Sequence, residues 1–155
     1  MLLYHGSDVV VKCPDLIKTS KFTKDFGDGF YCTTLEQQAA RWAIRKGKGT
    51  GYVSAFVLDE IKFNSLNVLQ FTTTNLDWLN FVAYCRMGKK HNYDAVVGPI
   101  ADDTVYNYVQ NYIDGLISAT DFMLLAKFNF ATHQVVFCTE ASKSCIRYVN
   151  HRKVV

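Results

Sequence analysis

The chain has 155 residues, of which 49% are hydrophobic and 20% are charged, and it contains only two prolines. This length and balance suit one domain with a single substantial core, and they exclude an intrinsically disordered chain. The net charge of +3 is too small to indicate a nucleic-acid or membrane partner by itself. We therefore predict a single domain over residues 1–155.

The first half of the chain contains aromatic and β-branched runs that predict strands. They lie at 2–7 ("LLYHGS"), Phe30–Thr33, 52–60 ("YVSAFVLDE") and 65–71 ("SLNVLQF"), with a further short extended piece at 12–18 ("KCPDLIK"). Leu35–Lys46 is rich in helix formers and stops at Gly47, so it is predicted as a helix with Thr34 as its cap.

The second half alternates between the two kinds of element without a regular order. Helices are predicted at 75–88, 102–115, 118–128 and 140–149, and strands at 93–99 and 133–139. Asp102, Asp103 and Glu140 are interpreted as helix-start residues. The final "HRK" is interpreted as a solvated tail. This irregular order predicts the α+β class rather than a doubly wound sheet.

Five cysteines, with no Cys-x-x-Cys pair among them, indicate neither a disulfide framework nor a zinc site. Two neighbouring aspartates supply too few oxygens for a cation, so we expect no metal. No apolar stretch reaches the ~18 residues of a membrane span, and the first residues do not have the pattern of a signal peptide. We expect a cytoplasmic protein in a reducing compartment, with no membrane partner.

The segment "DFGDGFYCTT" at 25–34 places two glycines directly before two aromatics. Glycine at this density weakens any helix or strand, so the segment predicts a loop that leads into a strand. Strand alternation then sends Phe30 to the core and leaves Tyr31 as the wall of a pocket. The plainer interpretation is a hairpin corner.

Three further positions are candidates for a site. His5 ends the first strand, where its ring can present a nitrogen atom. Trp42 shares a helix face with the small Ala39, which leaves room for a flat ring to stack. Gln134 opens a strand whose other residues are typical of a core. Each of these alone is most often an ordinary surface, core or edge residue.

Together, and in this order, these features resemble the ADP-ribosyltransferase superfamily, in its diphtheria-toxin and poly(ADP-ribose) polymerase branch with a His–Tyr–Glu triad. His5-Gly6-Ser7 matches the family's His-Gly-(Ser/Thr) strand, and Phe26-Gly27-Asp28-Gly29-Phe30-Tyr31 matches its Phe-Gly-x-Gly-x-Tyr loop. Trp42 falls where the family keeps a second aromatic. The chain is also similar to a compact bacterial family of unknown function in this superfamily.

The resemblance implies an ADP-ribosyltransferase-like fold, in which two small, mostly antiparallel sheets pack together and are flanked by helices. It implies NAD as the substrate, with His5 binding ribose hydroxyls, the Gly6 backbone pairing with the nicotinamide carboxamide, and Tyr31 and Trp42 enclosing the nicotinamide ring. The catalytic residues it implies are His5, Tyr31 and Gln134. The NAD-contacting residues it implies are His5, Gly6, Ser7, Gly29, Tyr31, Ala39 and Trp42.

Gln134 departs from the family, which has Glu at this position. Gln can accept a hydrogen bond from a ribose hydroxyl but carries no charge. The resemblance therefore implies mono-ADP-ribosyl transfer to a protein or nucleic-acid acceptor, and a small-molecule acceptor also stays open. It further implies a bacterial toxin or effector with an antitoxin or regulatory protein as its partner. Two alternatives remain: a catalytically weak or inactive module that binds NAD or ADP-ribose, and a small nucleic-acid-associated protein.

Overall fold

The computed structural model describes residues 1–16, 24–101, 103–128 and 132–155. Their strands are β1 (Leu2–Ser7), β2 (Phe30–Cys32), β3 (Gly51–Leu58), β4 (Val68–Gln70), β5 (Ala95–Gly98), β6 (Gln134–Phe137) and β7 (Ile146–Val154). Their helices are α1 (Glu36–Lys46), α2 (Glu60–Asn64), α3 (Leu76–Arg86), α4 (Asp103–Ile113), α5 (Ala119–Leu125) and α6 (Glu140–Lys143), with a 3₁₀ turn at Ala126–Phe128.

These strands form two mostly antiparallel sheets. One has the order β1-β3-β7, and the other has the order β2-β6-β5-β4, in which β4 and β5 are parallel. Tyr4 of β1 and Thr33, which follows β2, exchange two backbone hydrogen bonds of 2.8 and 2.9 Å. This single bridge brings the edges of the two sheets together, and it determines where His5 and Tyr31 meet.

Apolar side chains pack on both faces of each sheet, and this confirms the predicted α+β class with helices flanking the sheets. Strand β6 illustrates the layering, because its side chains alternate between two cores. Val135 and Phe137 belong to the core between the sheets, together with Phe30. Val136 belongs to a second core under α3, α4 and α5. A smaller cluster packs α1 against the first sheet.

Most of the predicted elements are confirmed within one to four residues at each end. Phe30 is 2% exposed and lies in the core, as strand alternation predicted. Asp103 and Glu140 begin α4 and α6 as predicted, while Asp102 lies outside the described residues. Ser118 caps α5 through a reciprocal pair of hydrogen bonds with Asp121.

The cap predicted for α1 was wrong. Leu35 is the N-cap residue and makes no side-chain cap hydrogen bond. Its backbone N–H instead donates to the hydroxyl of Thr33 at 3.0 Å. The hydroxyl of Thr34 lies 3.3 Å from the ring of His133, so a contact distant in sequence takes the place of the local cap.

The carboxyl-terminal prediction was also wrong. The helix that begins at Glu140 ends at Lys143, and Ile146–Val154 forms strand β7 instead of a helix followed by a solvated tail. Pairing with β3 overrides the local helix-forming tendency. The short helix α2, capped by the carboxylate of Asp59, was not predicted. Residues 12–16 form no strand, and the rest of that predicted piece lies outside the described residues.

All five cysteines are free, and Cys32 is buried. Within the described ranges, no helix has the length and the apolar character needed to cross a membrane.

Candidate functional site

A cavity of about 410 Å³, hereafter the site cavity, lies beside the contact between β1 and β2. Six of the positions predicted from the sequence line it: His5, Gly6, Gly29, Tyr31, Trp42 and Gln134. The other described residues that line it are Lys24, Asp25, Lys46, Ile100, Ala101 and Tyr106. Residues from opposite ends of the chain therefore meet at one place.

Two contacts fix the ring of His5. Its Nδ1 lies 2.7 Å from the backbone oxygen of Tyr31, and the ring stacks on Phe30 with centroids 4.3 Å apart. A carbonyl oxygen only accepts, so Nδ1 carries the proton. Burial, assisted by the charges of Lys46 and Lys24, lowers the pKa of His5 to about 4, and the ring is neutral at pH 7. In this tautomer Nε2 is an acceptor, which suits a hydroxyl group in the cavity.

Gly6 combines a close helix contact with open backbone groups. A Cβ atom at Gly6 would lie 1.9 Å from the carbonyl oxygen of Ala39, so only glycine lets α1 pack this closely on β1. Tyr4 directs its backbone N–H and C=O away from β3, towards Thr33. Backbone groups alternate sides along a strand, so those of Gly6 face the same way as those of Tyr4, next to the cavity.

The hydroxyl of Tyr31 is anchored to the loop of residues 25–29 that precedes β2, hereafter the glycine-rich loop. It donates to the carbonyl oxygen of Gly27 and accepts from the backbone N–H of Phe26 at 3.2 Å. Burial raises the pKa of Tyr31 well above its ordinary value, so the hydroxyl stays protonated. A Cβ atom at Gly29 would lie 2.6 Å from the carbonyl oxygen of Phe137, so the loop packs directly on β6.

Trp42 projects from α1 into the cavity wall and is half-buried. Two other predicted NAD contacts lie elsewhere. The hydroxyl of Ser7 donates to the carboxylate of Asp8 at 3.0 Å, and Ala39 is fully buried at the contact of α1 with β1. Of the residues that the structure describes, neither Ser7 nor Ala39 lines the cavity.

Gln134 is 3% exposed and begins β6. Its side-chain nitrogen donates to the carbonyl oxygen of Pro99 at 3.4 Å, and the same oxygen accepts from the indole of Trp78 at 3.0 Å. This contact orients the amide and leaves Oε1 as the acceptor for a ligand. The preceding residue, His133, exchanges hydrogen bonds of 2.6 and 3.4 Å with the side chain of Gln38, which ties α1 to the start of β6.

A buried ion pair that sequence reasoning missed forms another part of the wall. The side chain of Arg86 is 2% exposed and donates twice to one carboxylate oxygen of Asp25, at 2.7 and 3.1 Å. The other oxygen of Asp25 accepts from the backbone N–H of Ala101 at 3.0 Å. The guanidinium of Arg86 also lies 3.8 Å from the ring centre of Tyr106. The available signal was a basic residue in the last turn of a largely apolar helix.

A second cavity, of about 730 Å³, lies on the other side of the glycine-rich loop and is lined in part by Gly27, Gly29 and residues 88–93. The ring of His91 there has both nitrogens occupied. Nε2 donates to the carbonyl of Phe26 at 3.0 Å, and Nδ1 accepts from the backbone N–H of Tyr93 at 3.2 Å. Among the residues described, no group of three or more His, Cys, Asp or Glu is placed to hold a metal ion.

Comparison with known proteins gives a family but no relative with a described role. A family model described as "Protein of unknown function (DUF3990)" matches residues 1–148. No curated protein and no solved structure matches the chain. Because the family match covers nearly the whole length, this chain belongs to the DUF3990 family.

Proposed function

We propose that this protein is a NAD-dependent mono-ADP-ribosyltransferase with an ADP-ribosyltransferase-like fold, acting on a protein or nucleic-acid acceptor as a bacterial toxin or effector. The observation that carries the proposal is the site cavity, which gathers His5, Gly6, Tyr31, Trp42 and Gln134 from β1, β2, α1 and β6. Its volume of about 410 Å³ falls within the range of small-molecule sites, roughly 300–1,000 Å³.

The geometry suits the binding of a nicotinamide nucleotide. The rings of Tyr31 and Trp42 both line the cavity and offer flat surfaces for stacking a pyridinium ring. The backbone N–H and C=O of Gly6 can pair with the carboxamide. The neutral His5 ring offers Nε2 to a ribose hydroxyl.

The proposed reaction breaks the bond between C1′ of the ribose and N1 of nicotinamide. The bonding electrons leave with nicotinamide, which becomes neutral, and the ribose becomes an oxocarbenium-like cation. A nucleophile of the acceptor bonds to C1′ and loses its proton. Oε1 of Gln134, held in place through Pro99, accepts from a ribose hydroxyl and directs a partial negative charge towards the cation.

One observation favours a second candidate, a catalytically weak or inactive module that binds NAD or ADP-ribose. Asp25 is the acidic residue among the described residues that line the cavity, and the buried guanidinium of Arg86 balances its charge. Gln134 is uncharged. The charged groups described at the cavity, which include Lys24 and Lys46, therefore supply no net negative charge to stabilise the cation, and turnover slower than with Glu at this position is expected.

Nicotinamide release from NAD separates the two candidates. We expect release by the wild type, at least about tenfold less by Tyr31→Ala and Trp42→Ala because stacking is lost, and unchanged release by Tyr84→Ala, which removes an exposed tyrosine outside the cavity. Circular dichroism checks that each variant is folded. If the wild type releases none while NAD still raises its melting temperature, the protein is the binding module.

The acceptor is found by mass spectrometry of a cell lysate incubated with NAD and enzyme. The transferase proposal expects an added ADP-ribose with the wild type and with Tyr84→Ala, and little or none with Tyr31→Ala. Equal labelling by wild type and Tyr31→Ala would remove Tyr31 from the site.

A further inference from the structure

Two of the lysines that the structure describes line the site cavity, and they give its wall positive charge. Lys24 lies just before the glycine-rich loop, and Lys46 is the last residue of α1. The carboxylate of Asp25, which also lines the cavity, is balanced by Arg86 at 2.7 Å. The ammonium of Lys46 lies 3.7 Å from the carboxylate of Asp8, but both side chains are about half exposed, so this pair is weak.

The charges of the two lysines act on the same region. Both add to burial in lowering the pKa of His5, and Lys46 adds to burial in lowering the pKa of Lys24, while Asp28 opposes that change. Like charges that face one cavity repel each other, and an anion bound between them would remove that cost.

Lys24 has a second contact that bears on ligand entry. Its ammonium lies 4.7 Å from the centre of the Tyr31 ring, in the geometry of a cation–π interaction. Both groups line the cavity, so the ammonium covers ring surface that a stacked pyridinium would need. A flat cationic ring can stack there only when the ammonium moves away.

We propose that Lys24 and Lys46 form the binding site for the diphosphate of a dinucleotide, and that Lys24 exchanges the Tyr31 ring for the diphosphate when the ligand enters. Two ammonium groups match the two negative charges of a diphosphate. A single movement of the Lys24 side chain then both uncovers the Tyr31 ring and brings the ammonium to the diphosphate. This inference rests on the proposed function for the identity of the dinucleotide, while the anion site can be tested without it.

Calorimetric titration with inorganic pyrophosphate tests the anion site. We expect the affinity to fall about tenfold in Lys24→Met and in Lys46→Met, since each removes a charge-assisted contact. The matched control is Lys90→Met, in the second cavity, where no change is expected. Absence of pyrophosphate binding to the wild type, or equal binding by wild type and both variants, would overturn the anion site.

Titration with nicotinamide alone tests the exchange. Lys24→Met frees the Tyr31 ring, so nicotinamide should bind about two- to fivefold more tightly, whereas Lys46→Met should leave its affinity unchanged. A Lys24→Met protein with unchanged or weaker nicotinamide binding would contradict the exchange. ADP-ribose, which has the diphosphate without the nicotinamide ring, should bind more weakly to both variants.

Titration with NAD separates this inference from the proposed function. If NAD binds the wild type and both lysine variants equally, the inference fails and the proposed function stands. If NAD does not bind, but pyrophosphate binds and is lost in both variants, the proposed function fails and the anion site stands.

Discussion

The two cavities that flank the glycine-rich loop differ in volume and in the number of structural elements that line them, and the larger cavity draws on fewer elements. The second cavity is the larger, at about 730 Å³ against about 410 Å³. Its wall comes largely from the loop, from Cys85 and from residues 88–93, with Cys138 and Thr139 beyond β6. The smaller site cavity draws on β1, β2, α1, α4 and β6. Convergence of distant elements, more than volume, distinguishes the better candidate site.

The histidine of each cavity shows the same contrast at atomic scale. His91 has both ring nitrogens hydrogen-bonded to backbone atoms, so its ring holds the loop and has no polar atom to offer. Among the described residues, the ring of His5 has a hydrogen-bond partner at Nδ1 alone, the carbonyl of Tyr31, and Nε2 is left for a ligand. A histidine becomes a candidate binding residue when the fold orients its ring and leaves one nitrogen open.

The largest expected effect comes from the ion pair that supports the site cavity. Arg86→Met should lower the free energy of unfolding by about 3–5 kcal/mol, because it leaves the nearly buried carboxylate of Asp25 without its partner. Urea denaturation measures this loss. The double variant Asp25→Asn with Arg86→Met should recover part of the stability, since no uncompensated charge remains. A cost below about 1 kcal/mol for Arg86→Met would show that the pair does not hold this wall.

This ion pair also marks the limit of what the sequence could predict. The motif residues His5, Tyr31 and Trp42 could be named because short spacings and a family resemblance identify them. Arg86 and Asp25 are 61 positions apart, and nothing local connects them. Their pairing depends on how α3 packs beside the loop, so only the tertiary structure brings it out.

The elements show a similar division. The helices α3 and α5 were both predicted from local sequence patterns, and in the structure the side chains of Asn75 and Ser118 cap them. Strand β7 was missed because its stability comes from pairing with β3, about ninety positions earlier. Local propensity after Glu140 favoured a helix, and the long-range pairing prevailed.

A second prediction concerns pH and uses the open histidine. The pKa of His5 is about 4 in the folded protein and about 6.5 in the unfolded chain, where the ring is not buried. Between these two pH values the unfolded chain binds a proton that the folded protein does not bind. The stability contribution of the neutral ring is therefore complete above pH 6.5 and is lost as pH falls towards 4, by at most about 3 kcal/mol.

The measurement is the free energy of unfolding across pH 4 to 7 for wild type and His5→Gln. Other groups, including His133, whose pKa burial also lowers, titrate in both proteins, so the difference between the curves isolates His5. The difference should change by up to about 3 kcal/mol across this range. Parallel curves would mean that His5 is not held neutral by the fold.

The smallest expected effect tests whether the hydroxyl of Tyr31 holds the glycine-rich loop between the two cavities. Tyr31→Phe keeps the ring but removes the hydroxyl that bonds Gly27 and Phe26, and should cost about 1–2 kcal/mol, because two backbone groups lose a partner. The control, Tyr112→Phe, removes an exposed hydrogen bond to Asn80 and should cost less than about 0.5 kcal/mol.

The affinity of Tyr31→Phe for NAD distinguishes the contribution of the Tyr31 hydroxyl from that of the Tyr31 ring. If the ring face is what stacks on nicotinamide, Tyr31→Phe should bind NAD within a few-fold of the wild type, while Tyr31→Ala should not. Thermal shift with NAD measures both. Equal loss of binding in the two variants would assign the role of Tyr31 to its hydroxyl and to the loop that it holds. The second cavity, which shares that loop, would then be as strong a candidate as the first.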